Sequence, residues 1–250
     1  MDTLAKAGDM PPPPASLLDS AALFLDFDGT LVELAETPDG ISVAPGLSDL
    51  LRRVCRKLEG RLAIISGRSI VDLERHTDCR GIAVSGSHGL ELRLSNGDHI
   101  PLSAPVNIRE LRGQIDAFAQ GVPGLLVEEK PSSIALHYRQ APDAAEEVRA
   151  FLAALARKCG LTVQGGKMVA ELRPKGADKG DALRAFMTEP EFAGARPLFV
   201  GDDLTDEDAF EAAAGLGGAG ILVGPARASA ASFRFPGVPA VMQWLKQAAA

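Results

Sequence analysis

Tryptophan and tyrosine occur once each in 250 residues, cysteine three times and histidine four times. Cys55, Cys79 and Cys159 stand far apart with no C-x-x-C pair, which supports neither a disulfide framework nor a zinc ribbon. Long apolar runs are missing. The longest charge-free apolar stretch, Ala212 to Ala226, has 15 residues and is rich in glycine, too short and flexible to span a bilayer. Nor does an apolar segment precede a small-residue cleavage site at the N-terminus, where Asp2, Lys6 and Asp9 lead into Pro11 to Pro14; a cytoplasmic protein is expected. Basic residues are not in excess either. With 26 of them against 33 acidic residues the net charge is -7, which argues against general binding to nucleic-acid phosphates. An anionic ligand would have to be held locally, by a metal or a few placed cations.

What is present is ordinary globular material. Hydrophobic residues make up 46% and charged residues 24% of the chain, enough for a sizeable core. The length allows one large domain or a body with an inserted lobe.

Residues 1 to 19 are polar and proline-rich and read as a loose tail. From Ala21 to Phe27 a continuous apolar run, ending in Asp26-Phe27-Asp28-Gly29-Thr30, reads as a strand buried on both faces. A helix follows from Gly46 to Leu58, then a strand at Leu62 to Ile65 closed by Ser66-Gly67-Arg68. Next come a helix around Ser69 to Arg75, a strand at Ile82 to Ser85 and a hairpin around Ser95 to Asp98. The middle of the chain has a different rhythm: a helix near Ile108 to Ala119, paired strands at Leu125 to Lys130 and Ser133 to Arg139, a helix from Ala144 to Lys158, and strands at Leu161 to Gln164 and Met168 to Leu172. Beyond Pro174 helices and strands alternate again, through Lys179 to Met187, Leu198 to Val200, Asp206 to Ala214, Ile221 to Val223 and Val238 to Gln247. The expectation is an α/β fold: a doubly wound parallel sheet built from residues 20–105 and 175–250, interrupted by an α+β cap at 106–174.

In open α/β sheets, ligands collect beyond the carboxyl ends of the strands. Asp26 and Asp28 follow the first strand, Ser66-Gly67-Arg68 the second, and Gly201-Asp202-Asp203 the strand at Leu198 to Val200. Carboxylates converging there repel one another unless a cation lies between them, and hard oxygen ligands without nearby His or Cys point to Mg2+. A plainer reading makes Asp202 to Asp208 a solvated helix start, with Thr205 and Asp208 forming a capping box. That leaves Asp202 and Asp203 unexplained.

Asp26-Phe27-Asp28-Gly29-Thr30, a serine at the next strand end, Asp178-Lys179-Gly180, and Gly201-Asp202-Asp203 with Asp206 occur in this order. Together they resemble the haloacid dehalogenase superfamily of aspartate-nucleophile phosphohydrolases. Within it, Gly86-Ser87-His88-Gly89-Leu90-Glu91, Val127 to Lys130, Ala135 to Arg139, Gly166 to Glu171 and Gly201 to Glu207 look like the trehalose-6-phosphate phosphatases. The resemblance runs from about Leu23 to Gly224. It implies hydrolysis of trehalose 6-phosphate to trehalose and inorganic phosphate, the last step of trehalose biosynthesis, through an aspartyl phosphate. Asp26 would be the nucleophile. Mg2+ would be held by Asp26, Asp202 and the backbone carbonyl of Asp28. Ser66, Lys179 and backbone N–H groups near Gly29 and Gly67 would hold phosphate oxygens. Asp28 would be the acid and base, and Asp203 and Asp206 would orient the metal site and Lys179.

The resemblance also places substrate contacts at Asp26, Phe27, Asp28, Gly67, Arg68 and His88, although His88 could equally cap a loop. In the cap, strand alternation sets Glu128 with Lys130, His137 with Arg139, and Lys167 with Glu171 on one polar face, opposite Val127, Leu136, Tyr138, Met168, Ala170 and Leu172. The resemblance assigns Glu128, Lys130, Arg139, Lys167 and Glu171 to the sugar; an exposed charged face would look the same. Gly215 to Gly220 satisfies G-x-G-x-x-G but precedes a strand, so no dinucleotide site is expected. The remaining alternatives are a phosphatase of another sugar phosphate and a non-catalytic regulatory module. A monomer without nucleic-acid or membrane partners is expected.

Overall fold

The computed structural model describes residues 10–35, 40–100, 108–129, 133–166, 168–174 and 178–249. Its first strand, β1 (Ala21–Leu25), consists of five apolar residues, all buried, as a strand covered on both faces requires. Helix α1 (Leu47–Lys57) turns Leu47, Leu50, Leu51 and Val54 inward and carries Asp49 in its first turn and Arg56 and Lys57 in its last, matching the helix dipole. After β2 (Leu62–Ile65), helix α2 (Ile70–His76) is capped by Ser69, whose side chain accepts from Asp72 N. β3 (Ala83–Gly86) pairs antiparallel with the short β4 (Glu91–Arg93).

The second compact unit, Pro101–Gly176, is built from α3 (Ile108–Gly121), β5 (Leu126–Glu129), β6 (Ile134–His137), α4 (Ala145–Cys159), β7 (Leu161–Gly166) and β8 (Val169–Pro174). Its antiparallel sheet runs β5-β6-β8-β7. One face, with Leu136, Ala170 and Leu172, packs on Ile115 of α3 and Val148 and Leu152 of α4. Gly160 ends α4 in the left-handed conformation.

The first unit, Met1–Ile100 with Ala177–Ala250, is completed by α5 (Lys179–Thr188), β9 (Arg196–Gly201), α6 (Glu207–Gly215), β10 (Ala219–Val223), β11 (Phe233–Phe235) and α7 (Val238–Ala248). Its seven-stranded sheet has the order β11-β10-β9-β1-β2-β3-β4, parallel except at β4. The doubly wound architecture expected from the alternation is therefore present, beside a separate antiparallel sheet.

Two departures stand out. The N-terminal segment is not loose as far as it is described: Leu17 and Leu18 join the core, and Pro11 O accepts from Arg234 N beside the edge strand β11. Apolar residues after the prolines have surface to bury, and the edge has unpaired donors to satisfy. β11 itself, three residues long, is too short to leave a periodic signature. Gly215 to Gly220 runs from the last residue of α6 through a short turn into the start of β10, as its context implied. Among the described residues no helix is long and apolar enough to cross a membrane.

Candidate active site

β1 and β9 lie side by side in parallel register, Leu25 opposite Val200, and Asp26 N donates to Val200 O at 2.9 Å. Asp26 and Gly201-Asp202 therefore leave the sheet together at its carboxyl end, where the chain switches direction across the sheet. Helix α5 supplies the cation. Asp178 caps it, its carboxylate accepting from Asp181 N at 2.7 Å, and Phe186 stacks 6.2 Å from Phe24 of β1. This leaves Lys179, the first helical residue, buried with Nζ 2.7 Å from Asp26 Oδ1 and 2.6 Å from Asp206 Oδ1. Asp26, Asp202 and Asp206 each bring one oxygen within 4.8 Å of the others.

Asp26 and Asp206 share one ammonium, with Asp202 beside them, and the titration behaviour follows. Burial pushes Asp26 well above the usual carboxylate range, with Lys179 opposing and Asp206 adding to the shift. Burial, then the Asp206 charge, pushes Asp202 up to about 6. Burial alone would lower Lys179, but its two carboxylate partners outweigh it and the net shift is upward. The excess negative charge, on oxygen donors alone, fits a hard divalent cation such as Mg2+. Asp206 has both oxygens engaged, Oδ1 by Lys179 and Oδ2 by Asp203 N at 2.9 Å. Asp26 and Asp202 are thus the better placed ligands.

Glycine is required where the loop after β1 meets the loop after β9. Gly29 has φ +79°, and a Cβ there would lie 2.1 Å from Asp202 Oδ2. Around Ser66 the loops are stitched together differently. The buried Ser66 hydroxyl accepts from Arg68 N at 3.2 Å, while Ser87 N donates to Arg68 O and His88 N to Ser66 O. Ser87 and His88 adopt left-handed backbone, φ 51° and 55°, a costly conformation for residues with side chains. It lays the His88 ring over Gly67, with Cε1 2.6 Å from where a Cβ would be.

Several expected residues stand differently from their sequence reading. Phe27 is fully buried in the core beneath the loop, so no side-chain contact with substrate is open to it; its carbonyl instead accepts from Leu31 N and Val32 N. The Arg68 guanidinium is turned onto Asp28 and Asp72. The capping box is formed by Asp203 and Asp206 rather than Thr205 and Asp208, because a short 3-10 turn, Leu204–Asp206, precedes α6. Asp206, which the resemblance set to orient Lys179, lies 2.6 Å from its Nζ; that its other oxygen closes this cap through Asp203 N had no sequence signal. Arg227, which donates to the carbonyls of Asp202 and Asp203, carried no sequence signal at all, being a lone arginine in a loop of small residues.

In the second unit, cross-strand register places Glu128, Ala135, Glu171 and Gln164 in one row. Glu128 Oε2 lies 2.7 Å from His137 Nε2, and Glu171 accepts from Ser133 Oγ at 2.5 Å. Arg139 is exposed in the turn after β6. Lys130 and Lys167 lie outside the described residues.

The sequence profile of the trehalose-phosphatase family matches residues 24–237. A probable trehalose-phosphate phosphatase of Sinorhizobium fredii is 39% identical over 210 residues, 83% of this chain and 79% of the relative. A trehalose-6-phosphate phosphatase of Escherichia coli is 37% identical over 227 residues, 90% of this chain and 85% of the relative. The solved C-terminal domain of Candida albicans trehalose-6-phosphate phosphatase superposes with a TM-score of 0.71, covering 96% of this chain and 98% of that one; at 24% identity the likeness bears on fold alone.

Proposed function

Because this chain belongs to the trehalose-phosphatase family, we propose that it hydrolyses trehalose 6-phosphate to trehalose and inorganic phosphate, with Mg2+ as cofactor and an aspartyl phosphate on Asp26. The observation that carries this reading is the convergence of Asp26, Lys179, Asp202 and Asp206 at one strand edge. Mg2+, held through Asp26, Asp202 and the backbone carbonyl of Asp28, would offset charge on the phosphate and orient it for in-line attack.

The chain's own groups then divide the work. A carboxylate oxygen of Asp26 forms a bond to phosphorus as the bond to the sugar oxygen breaks; that oxygen keeps the electron pair and takes a proton from Asp28. Asp28, now a carboxylate, removes a proton from water whose oxygen attacks phosphorus, freeing Asp26 and inorganic phosphate. Lys179, Ser66 and N–H groups near Gly29 and Gly67 hold the phosphoryl oxygens. Asp203 and Asp206 keep the lysine and the metal loop in place. Gly67, Arg68 and His88 border the phosphate, and Glu128, Lys130, Arg139, Lys167 and Glu171 read the sugar.

A phosphate-release assay over a panel of sugar phosphates, with and without Mg2+, tests this. Trehalose 6-phosphate should be the preferred substrate, chelation should abolish turnover reversibly, and Asp26→Asn should be inactive but folded. Asp28→Asn should lose about a hundredfold or more, the usual scale for a positioned acid or base. Turnover by Asp26→Asn, with deamidation excluded, would overturn the nucleophile, and preference for another ester would overturn the substrate.

A further inference from the structure

Asp202 lies between the end of β9 and the 3-10 turn at Leu204–Asp206, so no regular ladder fixes its peptide. From inside, the turn is held by Asp206, which accepts from Lys179 and from Asp203 N. From outside, it is held by the loop after β10. Arg227 Nη2 donates to Asp203 O at 2.9 Å and Asp202 O at 3.4 Å, while Nη1 donates to a Glu207 carboxylate oxygen. The other Glu207 oxygen accepts from Ala230 N at 2.8 Å and Ser229 Oγ at 3.1 Å, closing the ring.

The loop that carries Arg227 is itself anchored. Gly224 N donates to Phe235 O, Arg234 Nη1 donates to Gly224 O at 2.8 Å, and the buried Ser229 hydroxyl accepts from Ala231 N at 3.0 Å. Five acidic residues, Asp202, Asp203, Asp206, Glu207 and Asp208, crowd this turn. Among the described residues, two cations are hydrogen-bonded to it: Lys179 from within and Arg227 from without.

We propose that Arg227 and Glu207 are positioning residues, a clasp that sets the Asp202–Asp203 peptide and thereby aims the Asp202 carboxylate for a divalent cation. The inference rests on the metal reading above. A planar guanidinium spanning two carbonyls and a carboxylate fixes direction as well as distance, which a single-point donor does not. The pair is also partly solvent-exposed, with side-chain exposures of 26% and 21%, so its net effect on folding should be small. Its contribution belongs to the metal loop.

The test is calorimetric titration of Mg2+ into the full chain, with the melting temperature of chelated protein measured alongside. Arg227→Gln should weaken Mg2+ binding by about tenfold or more, the scale for groups that orient metal ligands. Glu207→Gln should shift it the same way, and the double variant should bind no more weakly than the worse single. Arg227→Lys, which keeps one donor and the charge, should recover part of the affinity and stands in if Arg227→Gln does not fold. The chelated melting temperature should fall by no more than about 4 °C. Affinity within about twofold of wild type in both single variants, or a larger melting loss with affinity unchanged, would overturn the clasp and leave an ordinary surface ion pair. Wild-type protein that binds no Mg2+ would instead sink the metal reading, and the inference with it; Asp202→Asn, expected to abolish binding, keeps the two failures apart.

Discussion

Arg68 grips Asp28 by both carboxylate oxygens, Nε at 2.6 Å and Nη2 at 2.8 Å, while its Nη1 reaches Asp72 at 2.8 Å. The carboxylate assigned to proton transfer is thus oriented by a fork from the neighbouring strand end. Arg68→Lys keeps a charge but loses the fork. Its kcat for trehalose 6-phosphate should fall about tenfold or more, with Mg2+ affinity within about twofold of wild type. A raised KM at unchanged kcat would show that Arg68 binds substrate and does not orient Asp28.

The Lys179 ammonium is the only group holding Asp26 and Asp206 together among the described contacts. Breaking a buried pair from one side strands uncompensated charge, at a cost of about 3–5 kcal/mol. Lys179→Met should show that loss in urea unfolding of chelated protein at neutral pH, recover part of it with Mg2+, and release no phosphate. Undiminished stability would mean that the two carboxylates do not rely on the lysine.

The pH dependence has a definite sign. Asp202 titrates near 6 in the folded chain against an ordinary 3.8, so the folded state holds that proton more tightly. Its contribution to the chelated protein is full below about 3.8 and is lost as pH rises through about 6. Mg2+ competes with the same proton. At a fixed, sub-saturating Mg2+ concentration, the gain in melting temperature should therefore be larger at about pH 7.5 than at about pH 5. A gain independent of pH would exclude Asp202 as a ligand.

Glu128 and Glu171 share one face of the antiparallel sheet, one beside His137 and the other beside Ser133. If they read sugar hydroxyls, Glu128→Ala and Glu171→Ala should each lower kcat/KM for trehalose 6-phosphate about tenfold or more, since each lost bond is worth about 1–3 kcal/mol. Hydrolysis of a small generic phosphate ester should change little. Equal losses on both esters would assign these carboxylates to folding.

With Lys179 singled out only by the family resemblance, the sequence by itself determined the alternation of strands and helices, the buried run of β1, and the delivery of Asp26, Asp28 and Asp202 beyond strand ends. These were readable because burial and period are local properties, and because strand ends in a parallel sheet all deliver to one edge. Tertiary structure alone decided the partners. Lys179 meets Asp26 across 153 positions, Arg68 meets Asp28 across 40, and Arg227 reaches Asp203 across 24. It also sank Phe27 into the core, set Ser87 and His88 in left-handed backbone, and drew Pro11, at the head of the proline run, against the sheet edge. Such pairings depend on where packing places each loop, to within a hydrogen-bond length, and neighbours along the chain carry no record of that distance.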